Sequence, residues 1–355
     1  VKALVTAGGH GTRLRPITHT QNKHLIPIAN KEMLAYALDY LIEAGVDEIG
    51  IIVNKGDSSI QEKFGNGNQR GVEFTYIVQS TPKGLAHVVK ISEGFIGTNP
   101  FIFYLGDNIL VGGVKSFIKK FEKNNSNCHL VLSKVTDPNR FGVATIHDHK
   151  IVKIEEKPED PESDLAVTGI YIYDNTIFEA VNNIKLSERG ELEISDAHQY
   201  LLDHGRKISF SEITGWWKDT GKPSDLLEAN RLVLDNLIDK RSNGIVDTDS
   251  NVKGRVSIGH NTSIINSMIR GPVIIGDGCV IENAFVGPYT SIGNDCIIRK
   301  SEIEYSIIMG KCNILNVKGR IEASLMSFDV NLSGYERTPK VHRFILGDHS
   351  RVEID

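Results

Sequence analysis

The stretch Val1–Ile28 reads VKALVTAGGHGTRLRPITHTQNKHLIPI. Its first residues, through Thr6, form a short β-type run. Gly8, Gly9 and Gly11 follow within four positions, and then come Arg13, Pro16 and Lys23. A glycine turn directly after a first strand is the usual way to bring bare backbone N–H groups up to a phosphate. Two better-known versions can be tested. The dinucleotide fingerprint would begin at Gly9-His10-Gly11 and needs a glycine at position 14, which holds Leu14. The Walker pattern needs Gly-Lys-Ser/Thr, and Gly11 is followed by Thr12-Arg13. Both fail. What remains is a phosphate cradle with two cations, Arg13 and Lys23, ten residues apart.

Beyond this stretch, strand-like and helical runs alternate. Lys2–Thr6, Glu48–Asn54, Glu73–Val78 and Phe101–Leu105 read as strands. Between them, MLAYALDYLIEAG places Leu34, Ala37, Leu38, Leu41 and Ile42 at helical spacing, with Gly45 as a C-cap. VATIHDHKIVKIEEKP and LAVTGIYIYD continue the strands, and PSDLLEANRLVLDNLI is a helix. This rhythm predicts βαβ units and a mostly parallel sheet.

From about residue 245 a different period takes over. Ile258-Gly259, Ile275-Gly276 and Ile292-Gly293 are each 17 residues apart, and Met309-Gly310 falls 17 further on. Ile264, Ile281 and Ile298 share that offset, as do Ile269, Val286 and Ile303. Three apolar edges per repeat predict a three-sided coil that buries a continuous aliphatic column when stacked. The hexapeptide pattern resembles the left-handed parallel β-helix. Thr262, Cys279 and Cys296 keep the same register, so a small side chain is expected at one interior position. LGDHSRV at Leu346–Val352 repeats the pattern after a loop over 333–340 and is expected to be a last coil.

The 355 residues carry 40 Lys plus Arg and 45 Asp plus Glu, a net charge of −5. Without a long basic run, nucleic acid is not expected as a partner. No apolar run approaches the ~20 residues of a membrane span, so no membrane partner is expected. The N-terminus lacks a signal-peptide pattern. The four cysteines form no CxxC pair, which points to reduced structural thiols and a cytoplasmic protein.

AGGHGTRLRP…KHLIPIANK, followed in order by VQSTPKGLAH, YLGDN, FGV, EEKP, LAVTGIY, GELEISDA and GWWKDTG, resembles the sugar-1-phosphate nucleotidyltransferases. The resemblance is strongest to glucose-1-phosphate thymidylyltransferases in their long form. One departure is Glu32, where that family has proline. The resemblance implies a Rossmann-like α/β nucleotidyltransferase domain over 1–240 and a left-handed β-helix over 241–355. It also implies that dTTP or UTP reacts with a sugar 1-phosphate. Gly8, Gly9, Gly11, Thr12 and Arg13 would hold the nucleotide phosphates, and Gln79 and Gly84 the pyrimidine. Asp107 and Asp219 would hold Mg²⁺. Glu156 would bind sugar hydroxyls and Lys157 the sugar phosphate, with Asn108, Gly142, Val167 and Trp217 as further sugar contacts. Arg13 and Lys23 would stabilise the departing pyrophosphate. RGELEISDA reads as a capped helix start whose charges either close the site or are structural, with the structural role favoured.

The implied reaction needs no general base, because the attacking phosphate oxygen is already anionic. N-acetylglucosamine 1-phosphate as the sugar, and an acetyltransferase activity in the β-helix, are the alternatives. A homo-oligomer is expected from the β-helix faces.

Overall fold

The computed structural model describes residues 1–236, 242–335 and 342–354. The chain divides into two compact units, Val1–His10 with Met33–Asp219, and Gly11–Glu32 with Thr220–Asp355. The boundary near residue 240 marks where helical patterning ends. Packing groups the chain differently, because the segment 11–32 and the last helix belong with the coils.

The first unit is built on a nine-stranded sheet. Its strands are β1 (Lys2–Thr6), β2 (Glu48–Asn54), β3 (Glu73–Gln79), β4 (Phe101–Leu105), β6 (Cys128–Lys134), β7 (Gly142–His147), β8 (Lys150–Glu156), β9 (Leu165–Tyr173) and β10 (Ile208–Glu212). The short strand β5 (Asn108–Leu110) lies outside this sheet and pairs with β11 (Trp217–Asp219). The main path runs β8-β7-β9-β4-β1-β2-β3, with β6 joining β9 to β10. The sheet is mixed. β4, β1, β2 and β3 are mutually parallel, as the βαβ rhythm predicts. β9 runs antiparallel to β4, β6 and β7, and β7–β8 is a hairpin. Parallel and antiparallel pairs are therefore more evenly balanced than the sequence rhythm implied.

Helices cover the sheet: α1 (Met33–Glu43), α2 (Leu85–Ile91), α3 (Lys115–Asn124) and α4 (Ile194–Asp203). Gly45 ends the first helical turn run with φ +90°, which favours glycine. All nine residues of β9 are buried, because the strand lies inside the sheet with both faces covered. Two buried histidines are held by hydroxyls. His129 contacts Ser209 Oγ at 2.7 Å and Ser211 Oγ at 3.0 Å. His198 contacts Tyr173 Oη at 2.6 Å.

The second unit contains helix α5 (Pro223–Asp235) and the coils, whose strands form three parallel sheets of six, five and five strands. This is the three-sided β-helix the repeat predicts. The pairs Ile264↔Ile281↔Ile298 and Ile269↔Val286↔Ile303 stand in register, and all six side chains are buried. Asn261, Asn266, Asn283 and Asp295 turn corners with positive φ, which Asn and Asp tolerate best after glycine. The thiols at the small interior position are buried and unbridged. Cys279, Cys296 and Cys312 each donate to a carbonyl of the next coil, at 3.0, 3.1 and 3.0 Å.

Two expectations change. Ile292 pairs with Ile308 rather than Met309, so that coil is one residue shorter in its strand register. The glycines keep their own register: a Cβ on Gly293 would lie 2.6 Å from Gly310 N, and buried Met309 takes up the extra residue. Leu346–Val352 is not a coil. No strand occurs in 342–354, and Ile345 and Leu346 are exposed instead of joining the column. The motif there supplies only a turn, with Ser350 N donating to Gly347 O at 3.4 Å. The preceding loop lies mostly in 336–341, outside the described residues.

Candidate active site

The glycine turn divides between the two units after His10, and each part is described by itself. In the first, Gly9 N donates to Asn54 Oδ1 at 3.0 Å, and Asn54 Nδ2 donates back to Gly9 O at 3.3 Å. A Cβ on Gly8 would sit 2.9 Å from that same Oδ1. The end of β2 therefore clamps the end of β1, and this close approach explains the first glycine. In the second unit, Gly11 adopts φ +55°, and a Cβ there would press on Thr18 and on the Lys23 stem at 2.9 and 3.2 Å. Thr18 Oγ1 donates to Gly11 O at 2.7 Å. Thr12 and Arg13 are exposed and open a short 3₁₀ turn. The Arg13 guanidinium lies along Gly221, where a Cβ would be 3.1 Å from Nη2. Lys23 begins a third 3₁₀ turn, after Ile17–His19, capped by Asn22.

Asp107 follows β4, at the carboxyl end of a parallel strand, where ligands collect in α/β sheets. Gly106 N donates to both O and Oγ1 of Thr6, so the ends of β4 and β1 are tied together. β5 then pairs with β11 so that Asp219 stands opposite Asn108. Asn108 is buried and both ends of its amide are used. Its Nδ2 donates to Asp107 Oδ1 at 3.0 Å, and its Oδ1 accepts from Trp217 Nε1 at 2.6 Å. Trp217 also packs edge-on against Phe141, with centroids 5.4 Å apart. Asn108 and Trp217 thus form a brace behind Asp107.

A divalent cation can be tested against this arrangement. Asp107 and Asp219 are hard oxygen donors one position apart across a two-stranded ladder. Among the described residues no group of three or more His, Cys, Asp or Glu could hold a metal. Two carboxylates with the remaining ligands from phosphate and water is the usual protein contribution to Mg²⁺. The donor set fits.

Glu156 ends β8, and its carboxylate is surrounded. Ser195 Oγ donates to Oε2 at 2.7 Å, while Lys157 Nζ and Arg189 Nη1 approach Oε1 at 3.3 and 3.6 Å. Lys157 has φ +43° and its N–H donates to Phe141 O at 2.9 Å. A Cβ on Gly142 would lie 2.6 Å from Ser195 Oγ, so glycine is needed for the Ser195–Glu156 bond to pass. Glu193 is buried and bonded by Ser187 Oγ at 2.8 Å; burial holds its pKa above the ordinary value. Burial, and then the charge of Glu156, also raise the pKa of Asp196. The segment 189–196 is therefore more than a helix start. It supplies Arg189 and Ser195 to Glu156, two contacts sequence reading missed.

Gln79 ends β3, and its Nε2 lies 3.1 Å from His87 Nδ1. Burial, then Lys83 and Lys90, lower the His87 pKa. Gly84 has φ +91°, and a Cβ there would be 2.5 Å from Leu192 O. Backbone from the 187–193 loop, rather than open space, thus accounts for that glycine. Leu192 is bonded on both sides, to Lys83 O at 2.8 Å and from Ala86 N at 3.1 Å. Val167 is part of the sheet core.

In the first unit, strand ends carry Gly8 and Gly9, the carboxylate pair Asp107/Asp219 and the Lys157–Glu156 pair. The model of the family described as nucleotidyl transferase matches residues 2–236. The chain belongs to the nucleotidyl transferase family. Relatives of this nucleotidyltransferase include glucose-1-phosphate thymidylyltransferases of Streptomyces griseus and Streptomyces antibioticus. Each is 45% identical, over 100% of this chain and 99% of its own length. A solved Bacillus anthracis structure, assigned as a glucose-1-phosphate thymidylyltransferase in complex with a sucrose, is 39% identical. It has a TM-score of 0.62 and covers 64% of this chain and 93% of its own. The full-length span of the Streptomyces relatives includes the coils of this nucleotidyltransferase. No helix among its described residues is long and apolar enough to cross a membrane.

Proposed function

We infer that this nucleotidyltransferase moves a thymidylyl group from dTTP to glucose 1-phosphate, giving dTDP-glucose and pyrophosphate. The observation that carries this reading is the similarity of the whole chain, coils included, to glucose-1-phosphate thymidylyltransferases. The carboxylate pair Asp107/Asp219 and the Lys157–Glu156 pair supply the chemistry it needs.

A phosphate oxygen of the sugar 1-phosphate attacks the α-phosphorus. The bond from that phosphorus to the α–β bridging oxygen breaks, and pyrophosphate leaves with the electron pair. The nucleophile is already anionic, so no side chain has to remove a proton. Alignment and charge neutralisation are what the protein must provide. Backbone N–H groups of Gly8, Gly11 and Thr12 cradle the triphosphate, while Gly9, whose N–H is held by Asn54, shapes the turn. Arg13 and Lys23 take the charge that grows on the pyrophosphate. Lys157 orients the attacking phosphate, and Glu156 accepts from sugar hydroxyls while Ser195 and Arg189 hold it in place. Asn108 and Trp217 act through Asp107, and Gly142 leaves room for Ser195. Gln79 offers a donor and an acceptor to the pyrimidine edge, with Gly84 behind it and Val167 in the supporting core. Asp107 and Asp219 would hold Mg²⁺, which neutralises phosphate charge when bound. A homo-oligomer and a cytoplasmic location belong to the same reading.

The fate of labelled dTTP tests it. With glucose 1-phosphate present, an α-phosphorus label should appear in a sugar nucleotide and a γ label in pyrophosphate. Release of the α label as free dTMP would make the protein a hydrolase and end this reading. EDTA should abolish transfer and Mg²⁺ restore it; metal-independent turnover would remove the role given to Asp107 and Asp219.

A further inference from the structure

The carboxylate pair stands on the ribbon of β5 and β11, which no third strand joins among the described residues. A two-stranded ribbon is marginally stable by itself, so whatever holds it decides where the carboxylates lie. Val111 N donates to Trp216 O at 3.1 Å. By the alternation of an antiparallel ladder, Ile109 and Lys218 are then the next hydrogen-bonded pair. Asn108 opposite Asp219, and Leu110 opposite Trp217, are the close pairs without ladder bonds. The carbonyls of Asn108 and Leu110 therefore point away from β11. All three residues of β5 are buried, so those carbonyls need donors from elsewhere in the chain.

Two tyrosines supply them. Tyr104 Oη donates to Asn108 O at 2.9 Å, and Tyr40 Oη donates to Leu110 O at 2.7 Å. Tyr104 comes from β4 and Tyr40 from α1, and both are buried. The Tyr104 bond closes the chain over 105–107 and so spans Asp107. Gly106, on the other side of Asp107, is already tied to Thr6. Both backbone neighbours of Asp107 are thus pinned. Tyr40 fixes the far end of β5, opposite Trp217. There β11 comes close to β5: a Cβ on Gly215 would lie 2.3 Å from Val111 Cγ1.

We propose that Tyr40 and Tyr104 are positioning residues for the divalent cation: their hydroxyls fix β5, and with it the separation of Asp107 and Asp219. The inference rests on the reading above, in which these two carboxylates hold Mg²⁺. Mg²⁺ demands short bonds and near-ideal octahedral geometry, so a small displacement of either carboxylate weakens its binding. The tyrosines act through the β5 backbone and touch neither metal nor substrate. Phenylalanine in either place keeps the ring and its packing and removes only the hydrogen bond. The released carbonyl must then turn toward another donor, and β5 moves with it. The loss therefore falls on metal affinity and spares the sugar phosphate, which Lys157 and Glu156 hold.

Tyr40→Phe and Tyr104→Phe in the full chain test this, with Asp107→Asn as the reference. Mn²⁺ accepts the same oxygen ligands. Its titration into the protein with dTTP present, followed by electron paramagnetic resonance, reads metal affinity without turnover. Each phenylalanine variant should weaken Mn²⁺ binding about tenfold, the lower end of the cost of losing a group behind a metal ligand. Amide hydrogen exchange over 108–111 should quicken in the metal-free protein. Turnover should fall at low Mg²⁺ and recover as Mg²⁺ is raised, with the KM for glucose 1-phosphate unchanged. The two hydroxyls serve different carbonyls, so either variant that melts like the unaltered chain carries the test. Unaltered Mn²⁺ affinity, or turnover lowered equally at every Mg²⁺ concentration, would overturn the positioning role while leaving the carboxylate reading intact. Normal Mn²⁺ affinity in Asp107→Asn would overturn the carboxylate reading, and this proposal with it.

Discussion

The α/β unit and the coil stack use the same residue types for different ends. In the α/β unit, each glycine answers one local demand. Gly8 yields to Asn54, Gly84 to the Leu192 backbone and Gly142 to the Ser195–Glu156 bond. In the coils, glycine answers a demand that repeats. A Cβ on Gly259 would lie 2.5 Å from Gly276 C, one on Gly276 would lie 2.8 Å from Gly293 C, and one on Gly293 would meet Gly310. The same contrast holds for polar groups. Asn108 and Ser195 each hold one particular carboxylate, whereas Cys279, Cys296 and Cys312 make one thiol-to-carbonyl bond three times over. A region that uses each residue once can build a reacting centre. A region that repeats its contacts builds length and an ordered surface.

Changes at the site residues and changes in the coil column should therefore fail in different ways. The largest effect is expected at the pyrophosphate cations. Arg13→Ala or Lys23→Ala should lower turnover by about 10²–10³, the typical cost of ~3–4 kcal/mol for losing a fixed donor to developing charge. The KM for the sugar phosphate should move little, and thermal stability should be kept. Steady-state kinetics with near-normal turnover would remove the role given to these residues.

In the coils the reverse is expected. Ile281→Ala empties part of a fully buried column and should cost about 2–5 kcal/mol of stability, as such core truncations do. Turnover per folded molecule should stay unchanged. A matching loss of turnover would show that the coils take part in the chemistry.

Acid separates the regions more gently. Burial lowers the pKa of His129 to about 4 and of His198 to about 3, and both lie in the α/β unit. The unfolded chain binds protons below about pH 6.5 that the folded chain does not, so stability should fall as pH drops from there toward 4. Each histidine contributes at most ~1.4 kcal/mol per pH unit. Melting curves from pH 7 to pH 5 should show this slope, and His198→Asn should reduce it. A flat profile would contradict the burial argument.

Legibility in the sequence followed the same divide. The coil registers could be read over long distances, because a stacked repeat writes its three-dimensional neighbours at a fixed offset. It failed where the offset slipped by one at Met309 and where a matching motif, Leu346–Val352, had no column to join. In the α/β unit the strands and the motif residues at their ends were legible. Their partners were not. Asn54 is 45 residues from Gly9, and Ser195 is 39 from Glu156, with no periodicity to connect them. Asn108 looked like a sugar contact, yet its amide is committed to Asp107 and Trp217. Only the fold could reveal a brace of that kind.

The central claim is that this nucleotidyltransferase joins dTTP to glucose 1-phosphate. The most direct measurement is pyrophosphate release across a matrix of dTTP, UTP and other nucleoside triphosphates against glucose 1-phosphate and N-acetylglucosamine 1-phosphate. The account predicts the highest kcat/KM for dTTP with glucose 1-phosphate. Discrimination over UTP should be modest, since one methyl group is worth only ~1–3 kcal/mol. A clear preference for another pair would contradict the assigned substrates, and no release with any pair would contradict the reaction itself.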